Sequence, residues 1–128
     1  MNVLDENIIA PERERLREWR IHFRYIGGEV GHRGMKDREE IIPLLHAIRQ
    51  PTFFTRDQGF YSSILRHPGY CLVYLDVEAD ETADSVRQFL RCQLFRTRSQ
   101  RMGKVARVRH SGISYWQRHE RDEQMVSW

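Results

Sequence analysis

Four short apolar runs, separated by helix-like stretches and polar loops, constrain this chain most. They occupy residues 1–4, 21–26, 51–55 and 70–75. Each is too short for a core helix. The second alternates apolar and polar side chains, and all four read as strands. Between the first two, Pro11 opens a helix that runs to Trp19 or Arg20, with proline at a tolerated first-turn position. Leu16 and Trp19 are its core-facing residues. Asp37 then stands where a second helix begins, ahead of Ile41, Ile42, Leu44, Leu45 and Ile48. Pro43 marks a kink or a late first turn in it.

Residues 60–65 read as a short helix, and Thr82 to about Thr97 as an amphipathic one with Val86, Phe89, Leu90 and Leu94 on one side. Residues 105–109 and 113–117 flank His110-Ser111-Gly112 and predict a hairpin that turns at Ser111-Gly112. Residues 119–128 read as a loosely held polar tail. Strands alternating with helices predict an α/β fold, a mostly parallel sheet flanked by helices, ending in the C-terminal β-hairpin. A chain of 128 residues is most simply one domain, residues 1–128. Strand one is expected centrally, with strands two and three on either side. Chain order reverses there, and open α/β sheets bind ligands outside the carboxyl ends of strands at such a point.

Asp5-Glu6-Asn7 follows the first apolar run directly. Adjacent acids at a buried strand end repel and desolvate each other unless a counter-ion is present. A helix cap needs only one such residue. Thr55-Arg56-Asp57 ends the third strand, and the loop after the second leads into Asp37, so all three loci are expected at one edge. Glu40, one turn beyond Asp37, and Asp76, at the end of strand four, are further acidic candidates. Three carboxylate loci meeting there would bind a hard divalent cation.

Charge is distributed unevenly. From Ser85 to His119 there are nine basic residues and no acid, while the remainder carries twelve basic and eighteen acidic residues, a net of −6. An acidic region joined to an Arg-rich one suits a polyanion held by guanidinium groups while a metal works on it. Arg56, Arg96, Arg98, Arg101 and Arg109 are the candidates to hold it. Cys71 and Cys92 form no CxxC, which argues for two reduced, buried thiols rather than a zinc site. No apolar run approaches the ~20 residues of a membrane span, and the charged first helix does not read as a secretory signal. A cytoplasmic protein with no membrane partner is the expectation.

Together, Asp5-Glu6-Asn7, then Gly34…Asp37-Arg38-Glu39-Glu40-Ile41, then Phe54-Thr55-Arg56-Asp57…Phe60 resemble the motifs of small PIN-like bacterial proteins. The likeness covers about the first 76 residues. It implies a three-layer, Rossmann-like sheet and a ribonuclease dependent on Mg²⁺ or Mn²⁺. Relatives include toxins of toxin–antitoxin pairs, so RNA, an antitoxin protein and a second copy of the chain are the implied partners. Asp5, Asp37 and Asp57 would be catalytic metal ligands, with Glu6, Asn7, Glu40, Thr55 and Asp76 supporting them. Two positions depart from the pattern: Gly59 replaces a usual Asp, and Asp76 follows Leu75 where Arg is common. The rival reading is therefore a PIN-like nucleic-acid-binding or protein-interaction module without catalysis. A phosphoacceptor receiver also places acids after strand one, but it needs a Lys after strand five, and Lys104 precedes that strand.

Overall fold

The computed structural model describes residues 1–35 and 37–128, with Asp37 described by its backbone alone. Its centre is a seven-stranded sheet in the order β2-β1-β3-β4-β5-β6-β7. Strands β1 (Asn2–Leu4), β2 (Arg24–Tyr25), β3 (Thr52–Thr55), β4 (Cys71–Leu75) and β5 (Val105–Arg109) run parallel. Antiparallel β6 (Gly112–Trp116) and β7 (Gln124–Ser127) complete it. As expected, β1 lies between β2 and β3.

Side chains alternate along each strand, so a sheet buried on both sides needs apolar residues at successive positions. Val3 and Leu4, Phe53 and Phe54, and Leu72 and Val73 meet that need, each pair divided between two apolar clusters. Leu16 of α1 (Ala10–Glu18) and Ala83, Val86 and Phe89 of α3 (Thr82–Arg91) pack with Leu4 and Phe54. Ile41, Leu45 of α2 (Ile42–Ala47) and Phe60 pack with Val3 and Phe53. Two clusters of this kind are what hold a parallel sheet together, since burial of each large apolar side chain contributes roughly 1.5–3 kcal/mol.

Several boundaries differ from the sequence reading, each for a physical reason. The helix at Asp37 divides into a π-helical turn (Asp37–Ile41) and α2, with Pro43, which lacks an N–H, in the first turn of α2. Residues 60–65 form no helix; two 3₁₀ turns, Gln58–Phe60 and Ser63–Leu65, stand there. Helix α3 stops at Arg91. Phe95 turns inward to stack on Phe89 at 4.6 Å, leaving Leu94 partly exposed, and a Thr97–Gln100 capping box starts α4 (Arg98–Arg101). The hairpin turns at His110-Ser111, because Arg109 pairs with Gly112 and Gly112 already belongs to β6. Finally, the expected polar tail includes β7, which pairs with β6 from Gly112 to Tyr115. Cys71 is buried and Cys92 half-buried, both as free thiols, and burial pushes the Cys71 pKa up to about 12. Among the described residues no helix is long and apolar enough to cross a membrane.

Candidate functional site

Leu4 pairs with Phe54, so the next residues, Asp5 and Thr55, leave the sheet side by side; the Asp5 N–H donates to Phe54 O at 2.9 Å. Both point away from the face that holds Leu4 and Phe54, as alternation requires. Thr55 Oγ1 donates to Asp5 Oδ2 at 2.6 Å and accepts from the Asp57 N–H at 3.0 Å. Asn7 Nδ2 donates to Asp5 Oδ2 (3.3 Å) and Thr55 Oγ1 (3.2 Å), while its Oδ1 accepts from the Arg56 N–H (3.1 Å). The Glu6 N–H donates to Asp5 Oδ1 at 2.8 Å. The first and third predicted loci therefore meet in one hydrogen-bonded node at the strand-order reversal.

Asp5 is only 8% exposed. Burial raises its pKa against the lowering effect of Thr55 and the Glu6 N–H, and the charges of Asp57 and Glu6 raise it further. Asp57 accepts from the Gly59 N–H through Oδ1 (2.8 Å). The node thus presents hard oxygen donors, an electrostatic strain at Asp5 that a cation would relieve, and Asp57 Oδ2 outside these bonds. That donor chemistry fits Mg²⁺ or Mn²⁺ completed by water. Among the described residues no group of three or more His, Cys, Asp or Glu is gathered as a metal cluster. The side chain of Asp37, the third predicted ligand, lies outside the described residues.

Glu6 reaches the neighbouring loop instead. Its Oε1 accepts from the N–H groups of Gly34 (2.7 Å) and Met35 (3.3 Å), which anchors the loop that leads toward Asp37. Gly34 holds φ +73° there, a conformation that suits glycine. Arg38, which the sequence reading passed over, donates to Gly59 O at 2.6 Å and ties the π-helical turn to the loop after β3. The turn packs through Ile41 on the same face as Phe53. Glu6, Asn7 and Arg38 thus cross-link the three loops that carry Asp5, Asp37 and Asp57.

Other candidates are committed elsewhere. Glu40 pairs with His32 at 3.0 Å. Asp76 Oδ2 accepts from Arg107 Nη2 (2.6 Å) and Nε (3.0 Å), and this guanidinium holds its pKa below the usual carboxylate range. Asp76 is therefore an ion-pair partner and no substitute for the acid missing at Gly59. Arg101 is buried, donating to Thr52 Oγ1 and to the carbonyls of Phe95 and Arg96, and so is no phosphate ligand. Thr52 starts β3, which puts Arg101, with Arg96 and Arg98, at the amino-terminal edge of the sheet, opposite Asp5. Arg56 and Arg109 do lie at the carboxyl edge. Arg56 reaches Val77 O (3.2 Å) and Arg109 reaches Ser114 Oγ (3.3 Å); among the described residues the buried Nε of each has no hydrogen-bond partner. Lys104 precedes β5, away from the node, as the sequence reading held against a receiver.

Glu12 was also missed. It is buried, and its Oε1 accepts from the Ala83 N–H at 3.0 Å, joining α1 to the start of α3. Nothing in the charged run of α1 separates it from its exposed neighbours, because only the packing of α3 selects it.

No family model, curated protein or solved structure matches this chain. The functional reading rests on the node itself.

Proposed function

We propose that the chain is a PIN-like, three-layer (Rossmann-like) domain and a divalent-metal-dependent ribonuclease, with Asp5 and Asp57 as metal ligands and Asp37 as the expected third. The observation that carries this reading is the Asp5–Thr55–Asp57 node at the carboxyl ends of adjacent parallel strands, where β1 separates β2 from β3. When bound, Mg²⁺ or Mn²⁺ lowers the pKa of coordinated water and offsets charge on a phosphodiester. The chain's residues set the stage for that. Thr55 fixes the orientation of the Asp5 carboxylate and the entry of Asp57. Asn7 locks the two strand ends together. Arg56, whose backbone N–H joins the node, is the nearby cation for a phosphate oxygen. Within this reading, the toxin of a toxin–antitoxin pair is the biological role that the motifs suggest.

The test is cleavage of single-stranded RNA by the purified chain with Mn²⁺ or Mg²⁺. Cleavage is expected with the metal, absent in EDTA, and reduced at least 100-fold in Asp5→Asn and Asp57→Asn, as for loss of a main electrostatic contributor. Metal-independent cleavage, or cleavage that survives both substitutions, sinks the proposal. One observation favours the rival, a non-catalytic RNA-binding or protein-interaction module. Gly59 replaces the usual Asp, and its N–H occupies Asp57 Oδ1. RNA binding without cleavage at any metal concentration supports that rival.

A further inference from the structure

The amino-terminal edge of the sheet, opposite the node, collects positive charge on an unusual backbone. Helix α1 ends there in a Schellman motif: the Ile21 N–H donates to Leu16 O (3.0 Å) and the Arg20 N–H to Arg17 O (2.9 Å). The motif puts its C′ residue in the left-handed region, where glycine is the ordinary occupant. Here that residue is Arg20, at φ +60°. An L side chain is strained in this conformation, and such strain tends to persist where the side chain serves function.

Arg20, His22 and Arg24 are exposed. Two adjoining surface depressions share His22 and Phe23; one extends to Arg20 and the other to Arg24 and the start of β1. Asn2 Nδ2 donates to His22 O at 3.0 Å, which fixes this segment against β1. Arg98 approaches from α4: after burial, it is the largest cause of a lowered Met1 amine pKa. Glu29 lines the second depression, and its pKa is lowered first by backbone N–H groups and then by the charges of Arg17 and Arg24. Glu29 Oε2 accepts from the Tyr25 N–H (3.0 Å), and Glu14 pairs with Arg17. Among the described residues Arg20, Arg24 and Arg98 form no ion pair. Guanidinium groups outside any ion pair, beside the exposed His22 ring, suit a flexible polyanion whose bases can stack.

We propose that this edge is a binding groove for single-stranded RNA, in which Arg20 and Arg24 hold backbone phosphates beside the exposed ring of His22, while Phe23, packed on the core under Arg17, forms the floor. RNA as the ligand follows from the function proposed above, whereas occupancy of the groove does not depend on cleavage. Strand β1 has three residues, so the groove lies only about 10 Å from the node along it.

The experiment is fluorescence anisotropy of a labelled oligouridylate in EDTA, titrated with the full chain across a salt series. Arg20→Ser with Arg24→Ser should bind roughly tenfold more weakly, with a salt slope shallower by about 1.4 for two lost phosphate contacts. A charge-matched pair between β6 and β7, Arg118→Ser with Arg121→Ser, should bind as the wild type does. Arg20→Gly should melt at a higher temperature yet bind more weakly, a combination that a purely structural residue would not give. Unchanged binding in the Arg20/Arg24 pair, or equal weakening in the control pair, overturns the groove. Cleavage that persists while binding ignores Arg20 and Arg24 overturns the groove and leaves the nuclease. Groove-dependent binding with no metal-dependent cleavage does the reverse.

Discussion

At the scale of single residues, Asp5 shows how placement alters chemistry. Its carboxylate accepts three hydrogen bonds, yet burial still raises its pKa. For an acid with a raised folded-state pKa, the folded chain holds its proton more tightly than the unfolded one. The stability this gives is present at low pH and is lost as pH rises from the ordinary carboxylate range through the folded pKa. Wild-type stability should therefore fall relative to Asp5→Asn as pH increases from about 4 toward neutrality. Urea titrations of both chains across that range check this, and a pH-independent difference would remove the argument for electrostatic strain at Asp5. The difference reports Asp5 together with its coupling to the charges of Asp57 and Glu6, whereas Asp76, whose pKa Arg107 lowers, titrates alike in both chains.

Elements are governed here by contacts at their ends. The Schellman cap of α1 accepts Arg20 at the cost of strain, so Arg20→Gly should stabilise the fold by about 1 kcal/mol in urea denaturation. Strand β7 depends on the opposite property of a glycine. Gly112 has φ +152°, and a Cβ on it would come within 2.2 Å of Val126 O. Gly112→Ala should push β7 off β6 and cost roughly 1–3 kcal/mol, as overpacking does. Hydrogen exchange should then lose protection in Gln124–Ser127 while Cys71–Leu75 keeps it; equal protection in both segments would show that β7 tolerates the methyl group.

Across the whole molecule, the sheet separates two kinds of surface. Carboxylates gather at the carboxyl ends of β1 and β3 beside Arg56, and the exposed Arg20 and Arg24 stand at the amino-terminal edge. Binding and cleavage should therefore separate. Asp5→Asn with Asp57→Asn should bind oligouridylate in EDTA within about twofold of wild type, because neither residue contributes a cation to the phosphate contacts. Anisotropy on the double variant measures this, and a large loss of affinity would place the RNA at the node alone.

The fold was legible wherever local pattern decides it. Apolar runs with strand character, Pro11 and the amphipathic start of α3 specified the alternation of strands and helices. The central position of β1 followed from that alternation, and with it the meeting of Asp5 and Thr55-Arg56-Asp57. Contacts between residues far apart in the chain were decided only by tertiary structure. Asp76 was a free acid in sequence until β5 brought Arg107 to it. Arg101 belonged to a basic run until Thr52 and the Phe95 carbonyl drew it inside. Glu6 and Arg38 became loop anchors only when their backbone partners, 28 and 21 positions away, came within reach. Periodicity reports which face of an element is apolar, because burial of that face drives folding. It does not report which partner a charged side chain finds, because that choice is made after the elements pack.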